Sequence, residues 1–370
     1  MRGLILGLLA LFGVNAFLKG PIFLGAVFLL LIVWHGRMRI TGDVYLLMAF
    51  ALGYMCVDYL QNGTLSVTVL FCPVAYLAGL NWEPELGDTE TVFRHLAVTM
   101  AAHGILNFVW ETAQNGGFLY DGVHYDFWSG QVSAVTAQMT NYVLLTCLVG
   151  QFSKRPWLAV LQGISLLHAV LSGSRSYLVL LGLAVAVHLL VKLRESHAKG
   201  RFLGKLLLWG GCGCLVLTAA FRWNWLGVRE FWESSYLYHR LHSDYAVEHE
   251  RGLLTTGRWD TKLQYLALLP EYPWGGRHIQ EALGFYAHDL WLDTADRVGL
   301  IPFGLLVAYT IRMGHRLLKT ARRERSGVFY SCFVLVLAQF AVEPVLSGSP
   351  VLLLAVCMLD GMLTNWEDTL

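Results

Sequence analysis

Charged side chains are scarce in this chain. They make up 14% of its 370 residues, against 56% hydrophobic ones, and mean hydropathy is +0.51. A soluble domain carries nearer a quarter charged residues, so composition argues against one. The formal net charge of +1 gives no argument for a nucleic-acid partner, and none is expected. Recognisable catalytic signatures are also missing. There is no Walker loop, nucleophile elbow, HExxH or dinucleotide fingerprint, so the sequence offers no signature of an NTPase, a serine hydrolase, a zincin or a nicotinamide enzyme. The seven cysteines all fall inside apolar runs. Cys212 and Cys214 look like a redox or metal pair, but on a helix their side chains diverge by about 200°. Neither disulfide nor metal role is expected of any cysteine. Internal repeats and low-complexity segments are absent.

What the chain has is long apolar runs. They fall at 3–18, 21–34, 43–60, 64–80, 95–110, 131–150, 157–171, 176–192, 203–221, 298–311, 328–346 and 350–363. Runs of about 16–21 residues recur among them, long enough to cross a hydrocarbon core as tilted helices. In lipid the backbone must satisfy its own hydrogen bonds, so helices are the expected form. The expectation is an all-α polytopic membrane protein of about twelve transmembrane helices, one integral membrane domain over residues 1–370. The first run has the length of a signal peptide. It lacks a small-x-small cleavage site before Pro21 and a second run follows at once, so it reads as a retained span.

Lysine and arginine set the orientation. The even-numbered links carry Arg37 and Arg39, Arg94, Lys154 and Arg155, Lys192 to Lys205, and Arg312 to Arg325. The short odd-numbered links carry only Lys19 and Arg175. The positive-inside rule then puts both termini in the cytoplasm. It puts the long polar segment 222–297, between spans 9 and 10, on the extracytoplasmic side. The acidic link 81–94 is the point that fits least well. Segment 222–297 holds eight Lys/Arg against eleven Asp/Glu, with many Trp and Tyr. Trp259–Leu269 has helical spacing and Pro270 and Pro273 end it. This loop is expected to be partly helical and to lie on the membrane. A second outer segment, 111–130, carries Glu111, Asp121, His124, Asp126 and Trp128.

Three constellations carry chemistry, and each has a plain structural reading beside the functional one. In Leu171-Ser-Gly-Ser-Arg175-Ser-Tyr177, Arg175 heads a span. It is either a snorkelling anchor or, with helix N-terminal amides, a phosphate site. In Thr255-Thr-Gly257-Arg258-Trp-Asp260, Arg258 is either paired to a loop acid or a second arm of an anion clamp. In Ala287-His288-Asp289-Leu-Trp-Leu292, followed by Arg297-Val-Gly299-Leu300, Asp289 is a helix cap with an incidental His288, or His288 is a general base. The pair His239 and His242, with His249, reads as surface histidine rather than metal ligand.

In order and spacing these pieces resemble the O-antigen ligase and O-antigen polymerase family of bacterial membrane proteins. The resemblance lies in Ser174-Arg175 at the head of a mid-chain span, then Gly257-Arg258 early in one large outer loop. Pro273-Trp-Gly275-Gly276, His288-Asp289-x-x-Leu292 and Gly299-Leu300 follow. It covers roughly residues 165–315. Asp289 departs from the asparagine usual at that place.

The resemblance implies a GT-C-like fold in the bacterial cytoplasmic (inner) membrane and an extracytoplasmic active site. It implies a metal-independent, inverting glycosyltransferase. The donor would be an undecaprenyl-diphosphate-linked oligosaccharide and the acceptor a glycan or glycolipid, with membrane lipid as surroundings and no cofactor. Arg175 and Arg258, with Arg222 or Arg297 as a third, would hold the diphosphate. His288 would be the base, with Asp289 or Glu343 orienting or replacing it. Glu343 stands in Val342-Glu-Pro-Val345 at a span end, where an acid is costly. A ligase of the lipopolysaccharide or capsule pathways is favoured over a repeat-unit polymerase of the same family. A polytopic transporter or flippase is the alternative from another class, disfavoured by the missing repeat and by few charges within spans.

Overall fold

The computed structural model describes residues 1–117, 123–196, 198–242 and 258–368. Among them it is helical throughout, with one isolated antiparallel bridge, Tyr125 to Val132. The first half comprises α1 (Arg2–Gly13), α2 (Gly20–His35), α3 (Gly42–Asn62), α4 (Phe71–Leu80), α5 (Thr89–Gln114), α6 (Val135–Thr140), α7 (Val143–Thr146) and α8 (Pro156–Leu171). Next come α9 (Arg175–Glu195), α10 (Lys199–Arg222), α11 (Val228–Ser234), α12 (Tyr236–His242), α13 (Arg258–Leu268) and α14 (His278–Leu283). The chain closes with α15 (Leu290–Val298), α16 (Leu300–Glu324), α17 (Gly327–Phe340), α18 (Val345–Gly348) and α19 (Val351–Asp368).

Four helices are long and apolar enough to cross a membrane: α3, α5, α9 and α10. Shorter apolar helices accompany them: α1, α2, the 67–80 run that ends in α4, α8, α17 and residues 351–365 of α19. The pattern is consistent with a membrane protein. The 131–150 and 298–311 runs are among the expected spans that differ from single apolar rods. The 131–150 run is broken into α6, α7 and a 3-10 turn. Its buried Gln138, Thr140 and Thr146 side chains hydrogen-bond carbonyls nearby, and such local bonds compete with a continuous helix. The 298–311 run is the front of the longer α16, whose back half is polar.

Burial separates the helices sharply. α10 has no buried residue, and Leu207, Trp209, Leu215 and Leu217 stand more than two-thirds exposed. A helix apolar on every side and unburied by its own protein requires an apolar solvent or partner. α4 and α19 are the opposite, buried along most of their length. They cross with backbone nearly touching backbone. A Cβ at Gly79 would collide with the Met358 carbonyl, and one at Gly361 with the Tyr76 carbonyl. Small residues at a crossing bring two helices this close, which strengthens dispersion between them.

Charges inside the bundle come paired. Arg316 reaches Asp43 at 2.6 Å and Asp360 at 2.5 Å, joining α3, α16 and α19. Arg312 adds a second bond to Asp43, and the Tyr309 hydroxyl donates to Asp360 at 3.0 Å. Each partner offsets the desolvation of the other.

Two stability outcomes follow, both read as thermal midpoints in detergent. Gly361→Ala is expected to lose about 1–3 kcal/mol or more through forced separation of α4 and α19, and an unchanged midpoint would contradict the close crossing. Asp360→Ala leaves Arg316 with half its buried partners and is expected to lose about 3–5 kcal/mol. Replacing Asp360 without loss would mean that the network does not hold the three helices.

Candidate functional site

Local sequence builds a docked turn at the end of the long loop. Pro270 and Pro273 stop α13, and Gly275, Gly276 and Arg277 all take positive φ. A Cβ at Gly275 would meet the backbone of Arg297 and Gly299, so only glycine fits. This turn then pairs with the far end of α15. Gly276 N–H donates to the Arg297 carbonyl at 3.1 Å, Arg277 N–H to that of Asp296 at 2.9 Å, and Leu300 N–H to that of Pro273 at 2.9 Å. The Pro273–Gly276 and Gly299–Leu300 segments, 23 or more positions apart in sequence, are therefore one structural unit.

At the other end of α15, Asp289 is the N-cap. Its Oδ1 accepts from Trp291 N–H at 3.0 Å and Leu292 N–H at 3.1 Å. Its Oδ2 lies 2.9 Å from the Lys262 ammonium. Lys262 also donates to the Ala341 carbonyl, at the end of α17. Glu343, buried, lies two residues on, and its Oε1 would be 3.0 Å from a Cβ at Gly348. His288, half-buried, precedes the cap with φ of +47°. A left-handed non-glycine residue is uncommon, and such conformations concentrate at functional sites. Lys262 thus ties the Asp289 cap to the Ala341 corner, with His288 and Glu343 next to these contacts along the chain.

A second polar cluster sits beside them. Arg277 reaches Asp293 at 2.5 Å and Asp296 at 3.8 Å. Ser347 of α18 donates to Asp293 at 2.7 Å. Burial pushes the Asp296 carboxyl up, although Arg277 and the N–H groups of Gln280 and Ile279 pull it down. Asp293 and Asp296 are both almost fully buried, so Arg277 is held as an ion-pair partner.

The predicted cations are distributed unequally. Arg175 opens α9, half-buried, behind the Ser174 cap that accepts from Tyr177 N–H. Arg258 opens α13, one turn before Lys262; its side chain lies outside the described residues, as does the Thr255–Gly257 part of its motif. Arg222 is exposed at the last residue of α10. Arg297 is engaged on Asp58 of α3 at 2.8 and 3.1 Å, with Thr64 and Ser66 beside it and Tyr54 under its guanidinium. Although burial pulls its pKa down, Asp58 holds it above the usual arginine range. A guanidinium already matched by a bidentate carboxylate is a structural pair first.

Sequence reasoning missed Lys262 as a site residue. Its signal was present, at i+4 from Arg258 on the predicted loop helix. It named Glu111 and His124 without a role and left out His168. These three come together within hydrogen-bond reach: His168 Nε2 is 2.8 Å and His124 Nδ1 3.5 Å from the Glu111 carboxylate. His242, in the pair read as surface histidine, bonds to the Tyr238 carbonyl and stacks on that ring. His249 lies outside the described residues.

A cavity of about 720 Å3 opens at the other end of α17 and α19, lined by His35, Arg37, Arg39, Glu83, Asp88 and Asn365 among others. None of the sequence-predicted site residues lines it. No protein-family model matches this chain, and no curated protein matches it.

The Asp289 geometry makes a specific forecast. Asp289→Asn keeps an oxygen for the two cap bonds and loses the charge facing Lys262. Asp289→Ala loses both, and should unfold earlier than the asparagine variant by about 1 kcal/mol. Equal midpoints would show that the cap contributes nothing.

Proposed function

We propose that this chain is a membrane glycosyltransferase that moves an oligosaccharide from undecaprenyl diphosphate to a sugar hydroxyl outside the cytoplasmic membrane, in the manner of an O-antigen ligase. The observation that carries the reading is the Lys262 bridge from the Asp289 cap to the Ala341 carbonyl, with left-handed His288 and buried Glu343 beside its two ends in the chain. The ordered resemblance over residues 165–315 supports it. Twelve spans in a GT-C-like arrangement, with cytoplasmic termini, belong to the same proposal.

The chemistry is a single displacement. The acceptor oxygen bonds to the anomeric carbon as the bond from that carbon to the diphosphate oxygen breaks. The configuration inverts, and the electron pair leaves with the diphosphate. The acceptor proton passes to His288, or to Glu343 in its place. Asp289, taken up by two backbone N–H groups and Lys262, orients His288 instead of acting as the base. Arg175 and Arg258 neutralise the charge growing on the leaving group, with Arg222 nearest to the membrane end of the loop as the third. Arg297 would serve only by exchanging Asp58 for phosphate. The polyprenyl tail lies among exposed apolar helix faces such as that of α10.

The test is transfer from a synthetic undecaprenyl-diphosphate oligosaccharide by the detergent-purified chain. Wild type should transfer, and His288→Ala, Arg175→Ala and Arg258→Ala should each fall by about 10²–10³. Asp289→Asn should keep most activity, and added Mg2+ or Mn2+ should not raise the rate. Acceptance of a core-type or wall-type glycan identifies a ligase, and acceptance of the same lipid-linked unit a polymerase. Full activity in both arginine variants, or vesicle transport without transfer, would overturn the proposal.

A further inference from the structure

Glu111, His124 and His168 offer two imidazole nitrogens and a carboxylate within 4.8 Å of one another, all buried. They come from three separate elements. Glu111 is in the last turn of α5 and His168 in the last turn of α8. His124 begins a small hairpin in which Ser133 N–H donates to the His124 carbonyl at 2.8 Å and Tyr125 bridges to Val132. That hairpin is fixed on its far side. Trp128 donates to the Val14 carbonyl at 2.7 Å, Phe127 N–H to Asn107 at 2.9 Å, and His103 meets Asp126 at 3.2 Å.

We propose that Glu111, His124 and His168 form a binding site for one divalent cation of the zinc class. The ligand types are those zinc takes, nitrogen and carboxylate oxygen. Zinc bonds of about 2.0–2.2 Å in a tetrahedron put neighbouring donors about 3.3–3.6 Å apart. His168 Nε2 lies 2.8 Å from Glu111 Oε2 and His124 Nδ1 3.5 Å from Oε1, and one donor atom from each residue lies within 4.8 Å of the other two, so the three close on an ion with shifts of about an ångström. The surroundings of the donors fit as well. The Tyr142 hydroxyl lies 2.9 Å from His168 Nδ1, which fixes the ring and aims Nε2 at the carboxylate. Tyr125 N–H donates to Glu111 Oε1 at 3.2 Å. Phe108 stacks on the His168 ring at 4.8 Å, and Tyr142 meets it edge-on at 5.8 Å. Metal-bound histidines characteristically have the second ring nitrogen held in this way.

A cation there ties the hairpin to α5 and α8. It also steadies the turn after His168, where Ser172 N–H donates to the His168 carbonyl at 2.9 Å and Arg175 follows. Three protein donors leave the fourth position of the ion to a water, and the inference holds whether or not the chain transfers glycans.

The experiment loads the full chain in detergent with Zn2+, removes loosely held metal by dialysis and counts bound metal by elemental analysis. One equivalent should remain in wild type. His124→Gln and His168→Gln keep an amide for hydrogen bonding but not a good ligand, and should retain none. Tyr142→Phe should hold the metal 10–100-fold more weakly. Replacing Zn2+ with Co2+ in wild type should give the visible absorption of a four-coordinate, nitrogen-ligated ion, which decides the matter even where the glutamine variants fail to fold. Wild type without bound metal, retention by folded glutamine variants, or loss of the metal on removing His239 and His242 instead would each overturn the site.

Discussion

Arg297 is the point through which the polar turn around Gly276 and α15 is fixed to the apolar body of the molecule. Its guanidinium grips Asp58 of α3, and its carbonyl accepts from Gly276 N–H and from the Asn62 amide. One residue therefore binds a long helix, the glycine turn and the last turn of α15. Because α15 is a short rigid helix, fixing its last turn also fixes its first, where Asp289 is the cap. The direction in which His288 leaves that cap follows. A mobile segment could not hold an imidazole and a carboxylate in a constant relation to α3, and a fixed one can.

The interior follows the same rule at a greater cost in desolvation. Asp43, Arg316 and Asp360 are charges within helices that hydropathy alone would make uniform. Each is tolerable because its partner is already in place when the helices pack. Close packing supplies the rest of the cohesion, since between apolar helices in lipid no hydrophobic force favours association over contact with lipid. The Gly79–Gly361 crossing shows what replaces it, contact so near that no side chain intervenes.

Helical character and most helix positions were legible in the sequence, because apolar runs of spanning length admit few alternatives. The loop helix was legible at Arg258–Leu268, and its proline stop held. The break in the 131–150 run was not, because mean hydropathy does not weigh the hydrogen bonds of Gln138 and Thr140. Pairings were the least legible. Arg297 reads as a loop cation until Asp58, 239 positions away, is seen against it. Glu111, His124 and His168 span 57 positions and no motif spacing links them. The cap at Asp289 was readable from its place before an amphipathic turn, whereas its ion pair with Lys262 required the fold.

α10 has a consequence of its own. Its 24 residues extend about 36 Å, longer than a typical hydrocarbon core of about 30 Å. Other helices take their inclination from neighbours, but this one has no buried residue among the described ones, which leaves its inclination largely to its surroundings. In a bilayer it leans further where the membrane is thin and stands up where it is thick. Across a bilayer the stacked pair Trp223 and Trp225 just beyond its end would suit the headgroup level, and the chain that follows would then start from a height set by the membrane. If α10 crosses the bilayer, lipid chain length would become, through this one helix, a mechanical input to the segment that follows it.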